Sequence, residues 1–163
     1  MTDYFTQNNM RRLPEGIQSF EMIRKGNYVY VDKTDLVWQL ANGRMFNYLS
    51  RPRRFGKSLL VDTLRCYFEG KKELFEGLKI MELEKEWKVS PVIRFDMSNA
   101  GASAEDLNSY FNSTFWDLER KYSVKTFDGD SLSGRFNRIL RTASNEGENP
   151  VVILIDEYDS PLQ

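Results

Sequence analysis

Two short stretches of this chain carry residues whose types and spacing suit phosphate and metal chemistry. The first, SRPRRFGKSLL at Ser50–Leu60, ends as the phosphate-cradling pattern G-x-x-x-x-G-K-[ST] ends, with Gly56, Lys57 and Ser58 in place. Arg51 stands where that pattern has its first glycine, and Pro52, Arg53 and Arg54 follow it. In such a loop the backbone N–H groups point at a phosphate, and the helix that follows adds the positive end of its dipole. Lys57 would meet the terminal phosphates as a point charge, the Ser58 hydroxyl would ligate magnesium, and Gly56 would let the backbone come close. GKS also fits an ordinary basic turn, so this reading needs a second signal.

The second stretch is VVILIDEYD, Val151–Asp159. Five apolar residues followed by Asp156-Glu157 describe a strand buried on both faces that ends in two acids. Acids at the carboxyl end of a buried strand are costly unless they are paired or face a cleft, and parallel α/β sheets place their ligand clefts at that end. The first acid would hold magnesium and the second would polarise an attacking water. A strand emerging into solvent would carry the same acids, but the two motifs in this order support each other. Asp159 fits a surface or structural role better than one at the site.

What the chain lacks narrows the chemistry further. It has no histidine, which removes Ser-His-Asp and Cys-His nucleophile systems and His-ligated zinc. Cys66 is the single cysteine, and at an apolar-patterned helix position it reads as a small core residue. A formal net charge of -1 gives no global field toward nucleic acid or an anionic membrane. No segment nears the roughly 18 apolar residues of a membrane span, and the N-terminus lacks the apolar core of a signal peptide, so a cytoplasmic location is expected.

The elements that must position these residues alternate in type. Tyr28–Val31 and Met45–Leu49 pattern as short strands, the second leading directly into the glycine-lysine-serine loop. Asp32 or Thr34 is placed to cap a helix running to about Ala41. Leu60, Leu64, Tyr67 and Phe68 recur at helical spacing after Lys57, with Gly70 closing that helix. A short helix around Glu73, a strand after Pro91 (VIRFDM), and a long helix opened by a Ser103–Asp106 capping box follow. Leu132, Phe136, Ile139 and Leu140 mark one more helix, and Pro150 precedes the acidic strand. With 163 residues and 40% apolar content, the chain suffices for one α/β domain with a parallel sheet covered on both faces.

Three segments together are familiar: GIQSFEMIRKGNYVYVDKT (Gly16–Thr34), FNYLSRPRRFGKSLLVDTLRCYFEGKKELFEGL (Phe46–Leu78) and VVILIDEYDSPL (Val151–Leu162). They resemble the bacterial AAA-ATPase-like family of P-loop proteins, whose loop itself looks like RPRRFGKS. The resemblance implies a three-layer α/β/α fold with a mainly parallel sheet. In it, residues 1–43 extend a nucleotide-binding core at 44–163, and the whole forms a single domain. It implies ATP and magnesium as cofactors, with Arg53, Arg54, Phe55, Gly56, Lys57, Ser58 and Leu59 around the nucleotide. Ser58 and Asp156 would hold the metal, and Lys57 and Glu157 would act in catalysis. Longer members carry a region similar to PD-(D/E)xK nucleases, which makes nucleic acid a partner of such a region. The family's central strand would follow the acidic strand in sequence, so the chain is expected to be an N-terminal part with weak ATPase activity alone. A non-enzymatic regulatory or nucleic-acid-associated module is the alternative.

The loop arginines leave three options open. Arg51, Arg53 and Arg54 could face a polyanion together with Lys57, pair with acids such as Asp62 or Glu69, or contact a nucleic-acid backbone. Tyr30–Thr34 could line a base pocket, although a strand end and helix cap explains the same residues. Arg94-Phe95-Asp96 falls at a strand end near the expected cleft.

Overall fold

The structure, a computed structural model, describes residues 11–52 and 54–160. Among the described residues, six helices and two strands run in the order α1 (Phe20–Lys25), α2 (Thr34–Ala41), α3 (Lys57–Phe68), α4 (Ile80–Leu83), β1 (Val92–Asp96), α5 (Ala104–Lys121), α6 (Leu132–Glu146) and β2 (Val152–Asp156). Single 3-10 turns at Lys72–Phe75 and Met97–Asn99 link them.

Local chemistry explains where these helices begin and end. The Ser19, Ser103 and Ser131 side chains accept the first-turn amides of Met22, Asp106 and Gly134, opening α1, α5 and α6. Asp106 answers Ser103, completing the capping box expected there. The α3 helix stops at Gly70, where φ is 72°. The Gly70 amide donates to Tyr67 O and the Lys71 amide to Cys66 O, each at 3.0 Å, which absorbs two of the helix's last carbonyls.

β1 and β2 pair in parallel with Arg94 opposite Leu154 and Asp96 opposite Asp156. Ile93 and Phe95 point to one side and pack on Phe115 of α5 and on Ile139 and Ala143 of α6. Phe115 and Phe136 stack nearly parallel at 5.4 Å. Arg135 clamps these two helices by donating twice to the buried Glu119 carboxylate, both at 2.8 Å. Arg94, one residue out of phase, turns to the other side and meets Asp62 of α3. Helices thus flank both sides of a small parallel sheet, as an α/β order predicts. A second cluster joins Phe20, Val37, Cys66, Tyr67 and Phe75, so α1 and α2 share a core with α3.

Three strand expectations need correction. Among the described residues, Tyr28–Val31 makes a single bridge, Arg12 to Tyr28. Tyr30 packs edge-on against Phe20, while Asp32 accepts the Thr34 amide at 2.9 Å and starts α2, so the chain turns before a ladder can grow. Met45–Leu49 is not a strand either, and Met45, Phe46 and Tyr48 are largely exposed. The Asn47 side chain donates to Arg44 O at 2.7 Å and holds a local turn, with no strand beside it among the described residues. Finally, β2 is not buried on both faces. Ile153 and Ile155 are 42% and 52% exposed, because α5 and α6 cover β1 and leave its neighbour open.

Candidate functional site

The segment entering α3 has the backbone of a tight, glycine-dependent turn. Gly56 has φ 74°, and Arg54 adopts 67°, a left-handed conformation rare for a residue with a side chain. Arg53 lies outside the described residues. Among the described residues no side chain caps α3, in contrast with α1, α5 and α6, so the first-turn amides of Lys57, Ser58 and Leu59 open this helix without a serine to receive them. Ser58 and Leu59 are half-buried, whereas Arg51, Arg54, Phe55 and Gly56 are exposed.

Lys57 is the residue that joins the two motifs. Its ammonium donates to Arg51 O at 3.1 Å, closing the loop on itself, and lies 3.9 Å from Glu157 Oε1. Residues 100 positions apart are therefore neighbours at the carboxyl end of β2. A second tie runs alongside: Tyr48 and Tyr158 pack edge to face at 5.3 Å with their hydroxyls hydrogen-bonded. Tyr48's hydrogen bond pushes the Tyr158 phenol up to about 12, so it stays neutral at physiological pH.

Asp156 closes β2 and is only 4% exposed. Its Oδ1 accepts the Glu157 amide at 3.1 Å, and its Oδ2 faces Arg94 at 3.4 Å. Glu157 itself sits at φ 47°, a strained position for a glutamate that holds it out of the strand's continuation. Asp159 is half-buried.

Arg94, expected near the cleft from its strand end, forms a charged group beside the site with Asp62 and Arg65, a grouping that the motifs did not give. Asp62 accepts from Arg65 at 2.9 Å, from Arg94 at 3.2 Å and from the Phe20 amide at 2.8 Å. Two signals pointed to it: an arginine inside an otherwise apolar strand, and an acid one helical turn beyond Ser58. Among the described residues, the two acids named for the loop arginines have other cationic partners. Asp62 is taken by Arg65 and Arg94, and Glu69 by Arg65 and Lys71.

In the Tyr30–Thr34 segment, Asp32 ties the entry of α2 to the segment before α4. Asp32 binds the Thr34 hydroxyl and the Lys79 amide, at 2.7 and 2.8 Å, and these bonds outweigh burial and hold its carboxyl below the usual range. Cys66 is fully buried, as its helix position implied, and burial raises its thiol to about 11.

A magnesium ion's needs can be set against these donors. No group of three His, Cys, Asp or Glu suited to a metal occurs among the described residues. One carboxylate and one hydroxyl, Asp156 and Ser58, do suit an ion that keeps waters and shares its shell with phosphate oxygens.

An α/β chain with a parallel strand pair ending in acids, and a lysine-bearing glycine turn against them, defines a class. Within it, this chain belongs to the Predicted AAA-ATPase family, whose profile matches residues 14–163. It is 37% identical over 154 residues to an uncharacterized protein in the vnfD 5' region of Azotobacter chroococcum mcd 1. The match covers 93% of this chain and 30% of that relative, so the chain spans about a third of the relative's length. No solved structure matches. Among the described residues, no helix is long and apolar enough to cross a membrane.

Proposed function

We propose that Ser50–Leu60 and Val151–Asp159 form the centre of an ATP-binding, magnesium-dependent ATP-hydrolysing module with the P-loop three-layer architecture. The observation that carries this reading is the 3.9 Å approach of Lys57 to Glu157. A lysine at a glycine turn and an acid in a strained conformation meet where two parallel strands end.

Each residue then has a role set by its chemistry. Gly56 and the amides of Lys57, Ser58 and Leu59 receive phosphate oxygens, with Arg53, Arg54 and Phe55 forming the approach to the loop. Ser58 and Asp156 would hold magnesium, which supplies charge neutralisation on the phosphates when bound. In the structure the Lys57 ammonium lies 3.9 Å from the Glu157 carboxylate. A triphosphate competes for Lys57, and Glu157 is then released to orient a water.

Binding and turnover of ATP with magnesium by the protein and two variants test this reading. Lys57→Ala is expected to weaken binding by at least about tenfold, since a charge-assisted phosphate contact is lost. Glu157→Gln should keep binding and lose hydrolysis. Unchanged ATP affinity in Lys57→Ala would refute the assignment. The exposure of Arg51 and Arg54 favours a second reading, a contact with a nucleic-acid backbone without catalysis. Stabilisation by DNA and none by ATP with magnesium would select it.

A further inference from the structure

One guanidinium lies between two nearly buried acids. Arg94 reaches Asp62 Oδ1 through Nη1 at 3.2 Å and Asp156 Oδ2 through Nη2 at 3.4 Å. The Asp62 and Asp156 side chains are 5% and 4% exposed, so each needs a cation or donors beside it. Asp62 is well supplied, with Arg65 at 2.9 Å and the Phe20 amide at 2.8 Å. Asp156 has one backbone amide and the longer Arg94 contact. Arg94 is itself incompletely held, because its Nε is buried without a hydrogen-bond partner among the described residues.

We propose that Arg94 is a positioning residue that occupies Asp156 when no divalent cation is bound and yields it when one arrives, retaining Asp62 as its anchor. The proposal rests on the reading of Asp156 as a metal ligand. The asymmetry of the contacts gives the direction of exchange. Bringing a divalent cation to Asp156 places like charges together, and Arg94 retreats toward the acid it holds at the shorter distance. Asp62 lies one helical turn beyond Ser58, so the exchange is registered on the helix that begins at the phosphate loop. Arg94 thereby sets a threshold: it keeps a buried carboxylate neutralised and makes Asp156 a poor site for a cation that comes without phosphate.

Binding of Mn2+ alone, followed by the electron paramagnetic resonance signal of the free ion, tests this on the whole protein. Arg94→Met removes the competing charge and is expected to bind Mn2+ at least about tenfold more tightly than the parent. The gain should vanish in the Arg94→Met, Asp156→Asn double variant. Arg94→Lys keeps the charge without the two-pronged reach and should stay within about threefold of the parent, which serves if the methionine variant folds poorly. A merely structural arginine predicts the opposite sign, since disordering Asp156 weakens cation binding. Equal or weaker Mn2+ binding by a folded Arg94→Met, or weakening well beyond about threefold in Arg94→Lys, would overturn the proposal. If Asp156→Asn leaves binding of ATP with magnesium unchanged, it is the metal-ligand reading that fails, and the two failures are told apart.

Discussion

Replacing Asp62 is the perturbation whose cost the structure sets most directly. Its carboxylate accepts the Phe20 amide at 2.8 Å, Arg65 at 2.9 Å and Arg94 at 3.2 Å, in a place where the residue is 4% exposed. In Asp62→Ala the Phe20 amide loses its acceptor inside the core, at a cost of about 1–3 kcal/mol. The two arginines are only partly stranded, because Arg65 keeps Glu69 at 2.7 Å and Arg94 keeps Asp156. Breaking a buried pair outright costs about 3–5 kcal/mol, so the retained partners bring the total for alanine to about 4 kcal/mol. Unfolding entropy of about 2.1 cal/mol/K per residue makes each kcal/mol worth roughly 3 °C in a chain of 163 residues. Asp62→Ala should therefore lower Tm by about 12 °C. Asp62→Asn retains a neutral acceptor for Phe20 and should lower it by about half as much. Circular dichroism melts at pH 7 measure both. An alanine variant melting within 3 °C of the parent, on the scale just used, would show that α1, α3 and β1 are not joined through this carboxylate.

Two further outcomes are expected. Gly70→Ala must adopt φ 72° and brings a Cβ to 2.5 Å from the exposed Val89 side chain, whereas Gly77→Ala at φ 74° meets nothing within 4 Å. Melts should show a loss of about 1–2 kcal/mol at Gly77 from backbone strain and a larger one at Gly70, and equal losses would contradict the Val89 contact. The Asp32 carboxyl is depressed on folding, so its contribution is present above the unfolded value of about 4 and is lost as pH falls through the lower folded value. Asp32→Ala should be less stable at pH 7 and lose less further stability between about pH 4 and pH 2 than the parent; parallel curves would rule this linkage out.

Much of the fold is legible in residue types because the signals are local. Ser103 with Asp106, Gly70 after an apolar helix face, and Pro91 before VIRFD each act within a few residues, and the elements they mark are present. The strands at Tyr28–Val31 and Met45–Leu49 show the opposite case. Alternation of apolar residues describes what a strand would look like, but a strand exists only beside a partner, and local bonds from Asp32 and Asn47 win where none is supplied. At the candidate site, the meeting of Lys57 with Glu157 was readable as two motifs that belong together. The Arg94–Asp62 link was not, because it depends on which face of β1 the arginine occupies and how α3 crosses it. Arg65 also hides the role of Asp62, since at i,i+3 spacing the two read as an ordinary helix-surface pair.

The pairing of β1 with β2 has a consequence in time as well as in space. The ladder joins positions 60 residues apart, Val92 to Val152, while the two apolar clusters are drawn from residues 20–80 and 93–143. Contacts of short sequence separation form sooner than those that close long loops, and a chain emerging during synthesis presents both clusters before β2. The acids arrive with β2. Docking β2 on β1 forms this ladder and delivers Glu157 to Lys57 in the same event, so a chain in which β2 has not yet docked has the glycine-lysine-serine turn but not the carboxylates that face it.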